Sequence, residues 1–322
     1  LLDILTVKGG TNRIIEYFGP GTSSISTTGK GTITNMGAEL GATTSIFPYD
    51  GRAKTYLDAT QRARIAALAE ANRDLLVADP EVADDPEKYF DLVIEIDLDT
   101  LEPHIVGPFS PDLARPVSQM ASDVVEKNYP DNLTACLIGS CTNSSYEDLT
   151  RAADVAEQAL SHGATTKSTL WVTPGSEQIH QTIQRDGQMA ELQEIGGVVL
   201  ANACGPCIGQ WKRDDLVEGE ENSIISSYNR NFKKRNDGSA DTLSFIGSPE
   251  IVTAYALAGT LAFDPQTDSI EGPNGSFQLE APAPAPDIPE NGFQFSSLGY
   301  VEPPAPGTSV EVAVAPDSKR LQ

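Results

Sequence analysis

Positive charge is scarce in this sequence: 22 lysines and arginines stand against 46 aspartates and glutamates, a formal net charge of −24. A surface of that sign repels nucleic acid and anionic membranes, so neither is an expected partner. Cysteine is also scarce, with four in 322 residues. That excludes a secreted disulfide scaffold and points to a reducing compartment. Histidine is scarcer still, and His104, His162 and His180 fall in no ligand-like pattern, which leaves a zinc site short of donors. No apolar run approaches the roughly 18 residues of a membrane span. There is no basic-then-apolar leader and no initial Met, which suggests a trimmed or partial chain.

With 39% hydrophobic residues the chain has ample material for sizeable cores. Residues 1–50 are rich in Gly, Thr and Ser, with β-like runs in "DILTVKGG" and "SIFPYDG" around a short helix over 32–44. Strong helix formers at helical spacing predict one helix over 54–77, and the alternation of "FDLVIEIDL" predicts a strand over 90–98. The stretch 102–119 carries four prolines and reads as a connector. Beyond it, strands at 133–140, 168–175 and 197–203 alternate with helices at 145–163 and 176–194. That order predicts an α/β fold with a largely parallel sheet. Eight of the 22 prolines lie in 281–316, the composition of an extended linker.

The chemistry concentrates at the ends of two strands. Cys141 sits in the polar turn "GSCTNSS", and Cys204 and Cys207 form a C-x-x-C in "LANACGPCIGQW". Ligands of open α/β sheets gather at the carboxyl ends of strands, so three thiols can reach one crevice. Cys136, mid-strand among apolar residues, reads as core. The C-G-P-C spacing leaves several chemistries open: a thioredoxin-like redox disulfide, a structural zinc, or part of an iron–sulfur cluster. Four thiolates make a full cluster set. Three would leave one iron open as a Lewis acid. Downstream, "SSYNRNFKKRNDG" brings Arg230, Lys233, Lys234 and Arg235 together. Arginine's planar fork suits carboxylates, and the two lysines read as flanking charge. Asn35 and Glu39 are spaced to share a helix face. "TTGKGT" at 27–32 lacks the glycine spacing of a phosphate loop.

Five stretches, "GSCTNSSYEDL", "LANACGPCIGQW", "SYNRNFKKRND", "TNMGAELGATTSIFPY" and "TPGSEQI", resemble the aconitase family of mitochondrial type. The resemblance covers nearly the whole chain and implies three-layer α/β/α domains of the second and third aconitase type. Residues 1–102 would be most of the second domain, 103–280 the third, and 281–322 the start of a linker to the fourth. It implies a [4Fe-4S] cluster held by Cys141, Cys204 and Cys207, with one iron lacking a protein ligand. Arg230 and Arg235 would bind substrate carboxylates, and Asn35 and Asn229 would stand beside the cluster. Glu39 would partner a catalytic histidine that lies outside this chain, as do the base and the first and fourth domains. The implied reaction is citrate–isocitrate isomerisation through cis-aconitate, by an enzyme that is monomeric when whole. A related hydro-lyase, isopropylmalate or homoaconitate hydratase, is the alternative, and an RNA-binding module is disfavoured by the charge. The acidity suggests a bacterial, salt-adapted cytoplasm, with the mitochondrial matrix as the alternative.

Overall fold

A computed structural model describes residues 1–295, 297, 300–307, 309 and 313–319. The first hundred residues form short elements: α1 (Leu2–Leu5), β1 (Ile14–Glu16), α2 (Thr27–Met36), β2 (Thr44–Ile46), α3 (Gly51–Ala59), α4 (Ala63–Ala71) and α5 (Pro80–Asp84). Here β1 and β2 pair in parallel, Ile15 against Ser45. Ser26 caps α2 through Gly29 N, and Asp50 caps α3 through Ala53 N.

Three local expectations fail in this region. The β-like run at the start is helical over Leu2–Leu5. The single helix expected over 54–77 is broken between α3 and α4, where Gln61 takes φ 61°. Residues 90–98 form no strand, with a bend at Asp91 and a turn beginning at Leu98. Alternation describes an extended chain, whereas a strand also needs a partner backbone, and no described residue offers one there.

The remainder is built on one seven-stranded sheet. Its elements are β3 (His104–Val106), β4 (Ala114–Pro116), α6 (Met120–Glu126), β5 (Leu133–Gly139), α7 (Tyr146–Ser161), β6 (Thr169–Thr173), α8 (Glu177–Asp186), α9 (Gln188–Glu194), β7 (Val198–Val199), β8 (Asn222–Ser226), β9 (Thr242–Ile246) and α10 (Pro249–Ala258). A separate hairpin, β10 (Ser269–Gly272) and β11 (Gly275–Gln278), follows. The strand order is β4-β3-β9-β8-β5-β6-β7, and the five strands from β9 to β7 run parallel. The α/β class with a largely parallel sheet is therefore present as expected. The proline-rich stretch 102–119 is not a mere connector, because β3 and β4 form the antiparallel edge of this sheet. Pro116 is tolerated there because an outer strand leaves one row of N–H groups unpaired.

The core explains the strand and helix choices. β5 is buried almost throughout, as a central parallel strand covered on both faces must be. α10 is buried on nearly every side and packs against α7, β5 and β8. Ser145 and Asp148 cap α7 reciprocally. Leu149, Ala152, Ala153, Ala156 and Ala159 give α7 its inner face, and Cys136 lies fully inside the same core. The strand expected at 197–203 shortens to Val198–Val199, and the helix over 176–194 divides at Gly187.

Residues 281–295 contain neither helix nor strand, yet they lie against the rest of the chain. Arg52 Nη1 donates to both carboxylate oxygens of Asp287, at 2.7 and 2.8 Å. Phe293 is buried edge-on between Tyr56 and Tyr146. Gln294 N donates to Thr182 Oγ1, and Arg185 donates to Gly292 O. This stretch straps α3 to α7 and α8. The expected linker continues past it into 296, 298, 299, 308, 310–312 and 320–322, which lie outside the described residues.

Candidate functional site

Along the sheet, β5 connects through α7 to β6 on one side, while β8 lies on its other side. Strand order thus reverses at β5 and β8, and the crevice above their carboxyl ends is where such sheets bind ligands. The Cys141 turn leaves β5 there. Gly139 has φ 104°, and a Cβ on it would meet Thr173 O at 1.8 Å, so only glycine fits. Ser140 and Asn143 also take positive φ, which tightens the turn and presents Cys141 to solvent. The turn is held by Asn143 Nδ2, which donates to Ser227 O at 2.9 Å.

The C-x-x-C forms one four-residue 3-10 turn, Gly205–Ile208, with Cys204 exposed before it and Cys207 buried within it. Gly209 ends the turn at φ 83°, and a Cβ there would meet Arg235 O at 3.0 Å. Asn236 Nδ2 donates to Pro206 O, so the Arg235 segment is clamped to the cysteine turn. Burial pushes the Cys207 thiol up. The Ser140 hydroxyl and the Arg235 charge draw it down, while Cys141 and Cys204 raise it. All three thiols and Arg235 therefore share one electrostatic neighbourhood. The cysteines are free.

The other expected residues converge on the same place. Asn35 Nδ2 donates to Thr142 Oγ1 at 2.5 Å, and Thr142 Oγ1 lies 3.6 Å from Cys141 Sγ. Cys207 Sγ lies 3.9 Å from Asn229 Oδ1. Asn229 Nδ2 and Arg230 Nε both donate to Glu39 Oε1, at 3.0 and 2.7 Å. The two terminal nitrogens of Arg230 accept no such duty among the described residues. Arg235 Nε is buried without a hydrogen-bond partner. Asn35 and Glu39 do not share one helix face, because α2 ends at Met36 and tightens into a 3-10 turn. The two side chains diverge, Asn35 toward Cys141 and Glu39 toward Arg230. A cavity of about 470 Å³ opens on the Asn35 and Cys141 side, lined also by Thr28, Thr142, Ser145 and Asp287, and does not reach Glu39, Cys204, Cys207, Arg230 or Arg235.

Among the described residues, no group of three His, Cys, Asp or Glu side chains is close enough to hold a single metal ion. His162 stacks on Phe277 at 4.3 Å and His180 stands 3.6 Å from Glu177. Lys30 is buried against Asp50 and over the Phe47 ring, so "TTGKGT" offers no phosphate a free lysine.

Arg213 was not legible as part of the site. It is buried and bridges Asp237, Asp215, Asn222 and Thr134, pinning the segment after the cysteine turn to β5 and β8. In sequence it sits in "WKRDD", which looks like solvated surface. The signal for it is only that Trp211, whose ring it covers at 5.1 Å, is partly buried too.

Residues 1–259 match the model of the aconitase family (aconitate hydratase). The chain is 53% identical over 321 residues to the probable mitochondrial aconitate hydratase of Dictyostelium discoideum, covering 99% of this chain and 41% of that protein. It is 52% identical over 323 residues to the mitochondrial aconitate hydratase of Saccharomyces cerevisiae, covering 100% of this chain and 41% of that protein. It is 54% identical over 319 residues to that of Gracilaria gracilis, covering 99% and 40%. The chain thus spans about two fifths of the length of these curated relatives. The expectation of a bacterial cytoplasm is overturned, because these relatives are mitochondrial proteins of eukaryotes. Net charge bears on solubility and non-specific binding, and it carries no address.

Proposed function

The chain belongs to the aconitase family, and from that premise we propose that it forms the cluster-binding part, and half of the substrate clamp, of an aconitate hydratase. The observation that carries the reading is the shared neighbourhood of Cys141, Cys204, Cys207 and Arg235 at the reversal point of the sheet. The donor set suits a [4Fe-4S] cluster. Each thiolate would bind its own iron, so the three sulfurs need not close on one point as the ligands of a single ion must. The buried, unpartnered Ser140 hydroxyl, next in sequence to Cys141, also fits a group that brings sulfur acceptors.

When bound, such a cluster supplies an iron with open coordination positions, a Lewis acid for a hydroxyl or carboxylate. This chain's residues do the rest of the holding. Arg235 and the terminal nitrogens of Arg230 offer forked donors to the carboxylates of a tricarboxylate such as citrate, isocitrate or cis-aconitate. Glu39 fixes Arg230 through Nε, so less freedom is lost when a carboxylate docks. Asn229 links Glu39 to Cys207, and Asn35 orients Thr142 against Cys141. The base that takes the substrate proton, and the histidine Glu39 would serve, belong to parts of the enzyme beyond this chain. The division into 1–102, 103–280 and 281–322, and partnership with the first and fourth domains, are part of this proposal.

Anaerobic reconstitution with iron and sulfide tests it. A broad visible band with iron bound, lost in Cys141→Ser, supports the reading. A colourless chain whose Cys204 and Cys207 cycle to a disulfide overturns it. The chain alone should turn over no cis-aconitate, since the base is absent.

A further inference from the structure

From β7 to β8 (200–221) and from β8 to β9 (227–241) the chain crosses the sheet without an α-helix. The first crossover carries Cys204 and Cys207, the second Arg230 and Arg235. Both cover one face of the sheet. Cys207 and Tyr228 pack with Ala135, Leu137 and Ile224, and Trp211 lies against them. Cys136, Ile138 and Ile225 belong to the core on the opposite face, as alternation along a strand requires. A crossover with neither helix nor ladder must be held by side chains if it is to present functional groups in one place.

Arg213 supplies that hold. Its side chain is 2% exposed, and each of the five N–H groups of its fork has an acceptor. Nε and Nη2 donate to the two oxygens of Asp215 at 3.1 and 2.5 Å. Nη2 also donates to Thr134 Oγ1 at 3.0 Å, and Nη1 to Asn222 Oδ1 at 2.9 Å and Asp237 Oδ2 at 3.3 Å. Thr134 and Asn222 stand at the amino ends of β5 and β8, so the fork is anchored in the sheet. Asp237 belongs to the second crossover, and its side chain is 1% exposed. It accepts from Thr242 Oγ1 at 2.7 Å and Ser239 N at 3.0 Å. Beside it, Asn236 Nδ2 donates to Pro206 O at 3.2 Å, inside the cysteine turn. One buried ion pair therefore joins the two crossovers, and a lysine, with its donors on a single nitrogen, cannot make the same set of bonds. Resting on the cluster reading above, we propose that Arg213 and Asp237 are positioning residues: a buried lock that sets the register of the cysteine turn against the arginine segment, and so the place of Cys207 relative to Arg235.

The test labels the apo 322-residue chain with iodoacetamide at one fixed pH, beside Arg213→Lys, Asp237→Asn and Asp215→Asn, and follows each cysteine by peptide mass mapping. Cys136 and Cys207 are buried on opposite faces of the sheet, so Cys136 reports global opening and Cys207 reports the lock. Arg213→Lys and Asp237→Asn should raise the Cys207 rate about tenfold or more and leave Cys136 as in the wild type. Asp215→Asn should leave both unchanged, because Asp215 is 58% exposed and lies on the same crossover as the arginine. In chains reconstituted anaerobically, Arg213→Lys and Asp237→Asn should also lose iron to a ferrous chelator about tenfold faster or more. Far-UV circular dichroism is the folding control, and Asp237→Asn, which keeps an acceptor oxygen, decides the matter if Arg213→Lys does not fold. Cys207 labelled at the wild-type rate in both variants overturns the lock. A parallel rise at Cys136 and Cys207 overturns it as well, because the pair then serves overall stability alone. A wild type that takes up no cluster overturns the cluster reading, while the labelling still decides the lock.

Discussion

Glu39 Oε1 accepts from Arg230 Nε at 2.7 Å, joining residues 191 positions apart. The glutamate side chain is 4% exposed and the arginine 39%, so one end of the pair is fixed and the other faces the crevice. Glu39→Gln should keep the shape and lose the charge. Partial solvent screening at Arg230 limits the cost to about 1–2 kcal/mol in urea unfolding. A midpoint equal to that of the wild type would mean that Glu39 does not anchor Arg230.

Accessibility divides the four cysteines into two pairs. Cys141 and Cys204 are exposed, Cys136 and Cys207 are buried, and burial pushes the Cys136 thiol far up. In the apo chain at neutral pH, iodoacetamide should label Cys141 and Cys204 first, with Cys136 last, as peptide mass mapping would reveal. Preferential labelling of Cys136 would contradict its placement in the core.

Phe293 gives the strap its hold. Phe293→Ala should cost about 3–5 kcal/mol, read as a lower thermal midpoint, with faster proteolysis at 281–295. An unchanged midpoint would show that the strap adds nothing to stability.

The Arg185 side chain, hydrogen-bonded to Asp186, holds that carboxyl below its ordinary value of 3.8, although burial works against it. A depressed folded-state pKa contributes stability that is full above the unfolded value and is lost as pH falls through the folded one. Asp186→Asn should therefore destabilise by a few tenths to about 1 kcal/mol at pH 7. The gap from wild type should close below pH 3.8, in denaturant titrations across pH. A gap that persists in acid would place the effect in packing.

The site was more legible than the first hundred residues. Cys141 follows the buried strand β5 and the C-x-x-C follows the short edge strand β7, and strand ends are where α/β sheets put chemistry, so local signals and fold pointed the same way. The link from Glu39 to Arg230 was not readable, because contacts between distant segments leave no periodicity. The break at Gln61 and the unpaired stretch 90–98 escaped for a related reason: propensity reports what a segment tolerates, and partners decide what it becomes. Arg213 looked like surface because a buried charge is betrayed only by the carboxylates that fold around it. Ser140 carries no sequence signal at all, since an unsatisfied hydroxyl is a property of packing.

The path Glu39–Asn229–Cys207 has a thermodynamic consequence. It ties the first hundred residues to the sheet through the very turn that carries a thiol. Linkage is reciprocal, so whatever occupies the thiols tightens the docking of that segment by the same factor by which docking tightens the occupant. Losing the occupant then loosens a lobe as well as emptying a site, and oxidation or chelation at the rim would be read out as increased hydrogen exchange around Glu39.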